Sequence, residues 1–382
     1  MKKIVAAVFV IVFVSVAVSQ TVDTHKGEVP YTISSNQHLV VKAHINDSAG
    51  EYNFIVDTGA MTVIDTSVVE ALGLKKRGMM AKMNSMDMSG FRIENIFCMT
   101  TFPLRMISEP ELPIHGIIGS NLLERFTVVF DFPNKKLVFS TDTLSRALPE
   151  NSITLPFEKH PINNAPIVSF SAGEKVMKGM IDTGQPYPVV FPLKDFETMN
   201  NSCVKDAIQS RGIIVKWPYT KPSHNYLARI TSFTLGEMTV NNMICAFGTI
   251  PAMLSMPLIG NEFLSQFTMV LNYPKSEIAL IPADPLDFKS NRAGYGLKPD
   301  LKDDGTIEIE GVWIGSPADK AGLDAGDTIT GFNGTPASAE TYHSLLRQLY
   351  FESAEEIRID AAGSKGKRSV LLHKEDLLKP EA

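Results

Sequence analysis

Apolar and polar residues alternate from His38 to Ile45. A turn signal follows at Asn46-Asp47-Ser48-Ala49-Gly50, and Tyr52 to Val56 then reads as a second strand. Phe126–Phe130 and Leu137–Phe139 flank another turn signal at Pro133-Asn134, and the same arrangement returns around Pro274-Lys275. Helical periodicity is sparse over this stretch, and predicts short helices at Thr66–Leu74 and Ser120–Arg125. After a linker near residues 284–292 the texture changes. The spacing predicts a helix over Ala339–Tyr350 and a strand pair, Glu356–Ile359 with Ser369–Leu372, around a Gly-Ser-Lys-Gly-Lys turn. The expected fold is mainly β, followed by a third domain of mixed α/β type.

The β region contains itself twice. IIGSNLLERFTVVFDFPNKKLVF (117–139) answers LIGNEFLSQFTMVLNYPKSEIAL (258–280), with Gly119 and Gly260 141 residues apart. Upstream, FIVDTG (54–59) answers GMIDTG (179–184) at an offset of 125, and NIFC (95–98) answers NMIC (242–245) at 147. One unit of about 120 residues therefore occurs twice with different loop lengths. The boundaries read as lobe one over 28–146, lobe two over 147–283 and the last domain over 293–376.

Composition narrows the classes. The 382 residues are 44% hydrophobic and 20% charged with a formal net charge of −6, which fits a globular protein and gives no basic surface for nucleic acid. Lys2 and Lys3, the apolar run Ile4–Val18 and the small-x-small triplet Ala17-Val18-Ser19 read as a signal peptide over 1–19, cut before Gln20. The run is shorter than the roughly 20 residues of a spanning helix. An exported chain, periplasmic or secreted, with no stable membrane span after cleavage is expected, and an uncleaved anchor is the alternative. Cys98, Cys203 and Cys245 form an odd set and read as buried thiols. The histidines show no HExxH or other metal spacing, and there is no GxSxG or phosphate loop. Asp300–Gly305 hints at a calcium loop, but Gly311 stands where its closing Glu is needed. The sequons at Asn46 and Asn200 carry weight only in a eukaryotic host.

The chemistry concentrates in Asp57-Thr58-Gly59 and Asp182-Thr183-Gly184. One such triplet arises by chance in roughly one chain in ten, but two at matching places in a repeat are a different matter. Lobes packed about a two-fold axis bring equivalent residues together, and two adjacent carboxylates cannot both ionise cheaply. The pair shares a proton. One member can take a proton from water while the other donates to a carbonyl, so an amide is attacked with no covalent intermediate, metal or cofactor.

Residues from about 30 to 282 resemble the aspartic proteases in their compact, retropepsin-like form. The resemblance rests on DTGA (57–60) with IIGSNLL (117–123), and on DTGQ (182–185) with LIGNEFL (258–264). It implies Asp57 and Asp182 as the catalytic pair, Thr58 and Thr183 bracing each other, and Gly59, Gly184, Gly119 and Gly260 supporting the turns. Both lobes lie in one chain, so a monomer acting on peptide or protein substrates is expected. The family also carries flaps. Met79–Phe91, with five methionines, is the candidate in lobe one; core packing and a thioether copper cluster are its other readings, the last without His or Cys support. In lobe two the candidate is Arg211–Tyr226, with Trp217 and Tyr219 as substrate contacts or packing. Gln185-Pro186 departs from the family pattern: Gln185 either bonds the carboxylate or marks a site that has lost its chemistry. The alternative function is a peptide-binding scaffold without turnover.

Residues 293 to about 375 resemble a circularly permuted PDZ domain through GSPADKAGLDAGDTITGFNG (315–334). The resemblance implies that Gly294-Tyr295-Gly296-Leu297 holds a peptide carboxylate, with the ligand peptide adding as a strand beside helix 339–350 and His343 a candidate for lining the groove. A module packed on the protease lobes with its groove unused is the alternative.

Overall fold

Alternation along Leu39–Ile45 buries every second side chain and pairs the strand antiparallel with Glu51–Asp57, Val40 opposite Ile55. The intervening turn places Asn46 and Asp47 at φ of 50° and 58°, a region these short polar side chains tolerate. The computed structural model describes residues 26–378 except 105–106, 109–111, 143–147, 218–219, 221–223, 253, 289–291 and 351. The signal segment 1–19 and Tyr219 lie outside the described residues.

The protein is mainly β. In lobe one Glu51–Asp57 runs parallel to Gly116–Gly119, Asp57 opposite Gly119, while Val63–Ile64 pairs antiparallel with the other edge of that strand. In lobe two Lys175–Ile181 runs parallel to Leu258–Ile259, and Val189–Pro192 pairs with its far edge. Each glycine-bearing strand is thus threaded between the two limbs of an Asp-Thr-Gly turn, which fixes the turn on both sides.

The lobes join through a six-stranded sheet in which Thr127–Asp131 pairs antiparallel with Phe267–Asn272. Val129 faces Val270, its own counterpart at the 141 offset, so the pseudo-two-fold axis passes between them. One apolar cluster runs through both lobes and includes Phe54, Val56, Phe126, Ile181, Phe263 and Phe267. The opposite faces of the Asp-bearing strands carry smaller clusters: Ile55, Val63 and Ile117 under Phe102 and Leu104 in lobe one, and Met180, Val190 and Leu258 under Val215 and Trp217 in lobe two. Trp217 is therefore held in packing.

The methionine-rich segment of lobe one is also core. Met80–Met88 pairs with Phe91–Met99 around Ser89-Gly90, and Met83, Met86 and Met88 are fully buried. All three side chains join the large apolar cluster, and Phe91 closes the hairpin against Phe126 and Phe139. Met79, at the start of the segment, is 51% exposed. The cysteines follow the repeat: Cys98 and Cys245 are buried, with their Sγ atoms on the carbonyls of Ala81 and Ala228, which are again 147 apart.

The C-terminal domain docks on lobe two. Val204–Gly212 continues its sheet by pairing with Ile307–Trp313, Ser210 opposite Trp313. Arg211 reaches Asp319 at 2.6 Å and Asp324 at 2.8 Å. Trp313 and Leu378 pack with Leu227 and Ile244 of the lobe. The long helix here is Tyr342–Tyr350, shorter than expected because Ser338 and Thr341 tie the preceding residues into a turn. Among the described residues no helix is long and apolar enough to cross a membrane.

Candidate active site

The two Asp-Thr-Gly turns meet at the lobe interface. Thr58 N donates to Thr183 Oγ1 and Thr183 N to Thr58 Oγ1, both at 3.0 Å. Each hydroxyl then donates onward across the interface, Thr58 to the Ile181 carbonyl at 2.7 Å and Thr183 to the Val56 carbonyl at 2.9 Å. Both threonines are fully buried, so four hydrogen bonds in a dry interface lock the lobes in register.

This lock brings Asp57 and Asp182 side by side. A Cβ on Gly59 would stand 2.5 Å from Asp182 Cγ, and one on Gly184 would stand 2.3 Å from Asp57 Oδ2. Only glycine admits the opposing carboxylate so closely. The same backbone supplies donors: Gly59 N to Asp57 Oδ1 at 2.7 Å and Gly184 N to Asp182 Oδ1 at 3.0 Å. Gly119 and Gly260 pack against the backs of the turns, where a Cβ would meet the Met61 carbonyl carbon and the Tyr187 carbonyl oxygen, each at 2.3 Å.

The environments are unequal. Asp57 is half-buried, while Asp182 is 8% exposed. Burial raises Asp182 well above the ordinary carboxylate range, and the charge of Asp57 raises it further. Burial raises Asp57 too, but the N–H groups of Gly59, Ala60 and Gly184 and the side chain of Asp182 hold it down. Two such carboxyls share one proton, and the more deeply buried Asp182 is the member raised further. A stability effect follows. A folded-state value above the unfolded one means that stability falls as pH climbs from the unfolded carboxylate range to the folded value. Asp182→Asn removes that penalty. Its melting midpoint by calorimetry is expected a few degrees above wild type at pH 7, with the gap closing near pH 3.

The supports extend past the triplets. Ser120 Oγ donates to the Thr58 carbonyl at 2.5 Å and receives the buried Tyr273 hydroxyl at 2.7 Å. At the 141 offset Asn261 Nδ2 donates to the Thr183 carbonyl at 2.6 Å. Asn163 Nδ2 reaches across the interface to the Gly59 carbonyl at 2.6 Å. Sequence reasoning passed over these polar residues, although the repeat had aligned Ser120 with Asn261. The Gln185 side-chain amide makes no hydrogen bond to the carboxylate. Oε1 accepts from Tyr187 N at 3.1 Å and braces the wider turn before Pro188. Its backbone N–H donates to the Asp182 main-chain carbonyl at 3.1 Å and closes the turn.

In the last domain, Gly294 lies in a short strand paired with Glu375–Asp376, and Tyr295 is buried with its hydroxyl on the Ala354 carbonyl at 2.7 Å. Gly296 adopts φ 83° where a Cβ would strike Ser316. Leu297 opens the strand Leu297–Leu301, whose recorded partner among the described residues is Ile307–Trp313. On the helix side of that strand the Tyr350 and Tyr342 hydroxyls donate to the carbonyls of Leu297 at 3.2 Å and Pro299 at 3.3 Å. His343 is 6% exposed, so it sits in the domain interior and does not line an open groove.

A scan of family models finds an aspartyl protease domain over residues 41–122, which covers the first Asp-Thr-Gly and its Gly119 strand, and a PDZ domain over residues 308–357. A search of curated proteins finds no match. The chain therefore combines an aspartyl protease domain with a C-terminal PDZ domain.

Proposed function

We propose that the chain is an exported aspartic endopeptidase that hydrolyses peptide bonds by water activation between Asp57 and Asp182. The observation that carries this reading is the contact of two carboxylates in unequal surroundings at a dry, two-fold interface. Ionised Asp57 takes a proton from a water as the water attacks the scissile carbonyl. Protonated Asp182 donates to the carbonyl oxygen. The tetrahedral intermediate then collapses as the amide nitrogen receives the proton held by Asp57, and Asp182 recovers its own. Gly59 and Gly184 N–H groups keep both acids aimed throughout. Export rests on Lys2, Lys3 and the apolar run to Val18.

The test is digestion of an unfolded protein in oxygen-18 water, with products read by mass spectrometry. Direct attack places one heavy oxygen in each new carboxylate and gives no transfer of the acyl group to an added amine. Transfer to the amine would point to a covalent intermediate and defeat the reading.

The PDZ module supplies a second site for peptide or protein termini at Gly294–Leu297. Pro299 has no N–H to offer an added strand, and Tyr342 and Tyr350 hold the two carbonyls such a strand would use. A ligand must displace both hydroxyls. The double substitution Tyr342→Phe, Tyr350→Phe is therefore expected to tighten binding of a hexapeptide ending in valine by about ten-fold, at roughly 0.5–1.5 kcal/mol per hydrogen bond. Titration calorimetry decides, and an unchanged or weaker affinity contradicts it.

A further inference from the structure

The two Asp-Thr-Gly turns are closed in different ways. In lobe one Val63, six residues after Asp57, pairs with Ile117. Leu258 is the counterpart of Ile117 at the 141 offset, and it pairs with Val190, eight residues after Asp182. The lobe-two turn is therefore two residues longer. Lobe one closes its short turn with its own side chains. Asn121 Oδ1 accepts from Thr62 N at 2.7 Å, and Thr62 Oγ1 accepts from Gly119 N at 3.1 Å. At the 141 offset Asn121 becomes Glu262. The Glu262 carboxylate goes elsewhere, accepting from Arg292 Nη1 at 2.8 Å.

The same guanidinium lies over the ring of Tyr187, 4.5 Å from its centroid, close enough for the aromatic face to attract the cation. Tyr187 belongs to the longer turn, which wraps the start of the helix Asn261–Leu264. Gly260 N donates to the Pro188 carbonyl at 2.9 Å, Asn261 N to that of Gln185 at 2.7 Å and Glu262 N to that of Pro186 at 3.2 Å. Arg292 thus grips the turn by its ring and the helix end by its carboxylate. Directly behind them, Gln185 N bonds the Asp182 main-chain carbonyl and Asn261 Nδ2 the Thr183 carbonyl. Arg292 itself is anchored outside the lobe. Its N–H donates to Asp376 Oδ1 at 3.1 Å and its carbonyl accepts from Leu377 N at 3.0 Å, both in the C-terminal domain. Tyr187 also packs on the cluster of Leu227, Ile244, Trp313 and Leu378 that lobe and domain share. The Arg292 and Glu262 side chains are 28% and 30% exposed, so their ion pair is screened less than one in open solvent.

We propose that Arg292 is a positioning residue: anchored in the C-terminal domain, it braces the long turn behind Asp182, a task that lobe one performs with Asn121. The role rests on the reading of Asp57 and Asp182 as the reacting pair. It gives the C-terminal domain a part in the active site beyond peptide binding.

Arg292→Met keeps the stem and removes the charge. Arg292→Lys restores the ion pair but not the flat face on the ring. In the full chain, kcat on an unfolded protein substrate is expected to fall about ten- to fifty-fold in the Met variant, with KM little changed, and only about three- to five-fold in the Lys variant. Carbon-13 NMR of the aspartate carboxyl groups gives a readout that needs no turnover. A loosened turn lets the two acids draw apart. Their two titration steps are then expected to move closer together in the Met variant and to separate again in the Lys variant. A Met variant with either readout unchanged, or a Lys variant as displaced as Met, overturns the proposal. A wild type without turnover would sink the catalytic reading and leave the carboxyl titration to decide on Arg292. Should the Met variant fail to fold, Tyr187→Leu decides. It removes the ring and leaves the ion pair, and it is expected to narrow the gap between the steps; a wild-type titration in it contradicts the assigned role.

Discussion

Asp57→Asn and Asp182→Asn are each expected to lower turnover of an unfolded protein by at least about a thousand-fold, while the chain stays folded. The reason lies in the division of labour. An amide at position 57 cannot take a proton from water, and an amide at 182 cannot hand one to a carbonyl oxygen and take it back. The Thr58–Thr183 lock does not involve the carboxylates, so each variant keeps its lobe packing. The double variant is expected to be no worse than either single one, because groups that act as a unit are not additive. Initial rates from peptide release, with melting curves as the control for folding, check this. Full activity in either variant would mean that the aspartates do not share a site.

Thr58→Val is expected to cost more stability than any other single change of similar size at the interface. Valine keeps the shape of threonine but leaves Thr183 N and the Ile181 carbonyl without partners in a fully buried setting. An orphaned buried group costs about 1–3 kcal/mol, so two together cost roughly 2–6 kcal/mol, a large share of the stability of an ordinary domain. Thr58→Ser keeps the hydroxyl and is expected to lose far less. Denaturant unfolding of the two variants is the comparison to make. If valine and serine behave alike, the hydroxyl network is not what holds the lobes in register.

Much of the architecture is legible in the chain because symmetry leaves a signature in sequence. The 141 and 125 offsets mark equivalent residues, and the fold brings two such pairs together, Val129 with Val270 and Asp57 with Asp182. What stays hidden is work done by short polar side chains across the interface. Ser120, Asn163 and Asn261 act on backbone carbonyls, and nothing in composition or period distinguishes such a side chain from a solvated one. The methionine segment misleads for a different reason. Met suits both a mobile flap and a close-packed strand, and only the pairing of Met80–Met88 with Phe91–Met99 shows the second. The sheet shared by lobe two and the PDZ domain is equally silent, since a strand edge that docks on a neighbour reads like one that ends in water. Gln185 shows the converse: a departure from the family pattern at a side chain leaves the main-chain bond that closes the turn in place.

One experiment bears on the central assertion most directly, namely digestion of an unfolded protein by the intact chain across pH 3 to 9. A pair that works with one shared proton is active only between its two titration steps. Activity is then lost on the acid side when both carboxyls are protonated, and on the alkaline side when both are ionised. The expected profile is a single bell. Because burial and the Asp57 charge raise Asp182 well above the ordinary carboxylate range, its alkaline limb is expected well above pH 4. Hydrolysis that rises to a plateau with no alkaline limb, or none at any pH, would contradict a protonated Asp182 working beside an ionised Asp57.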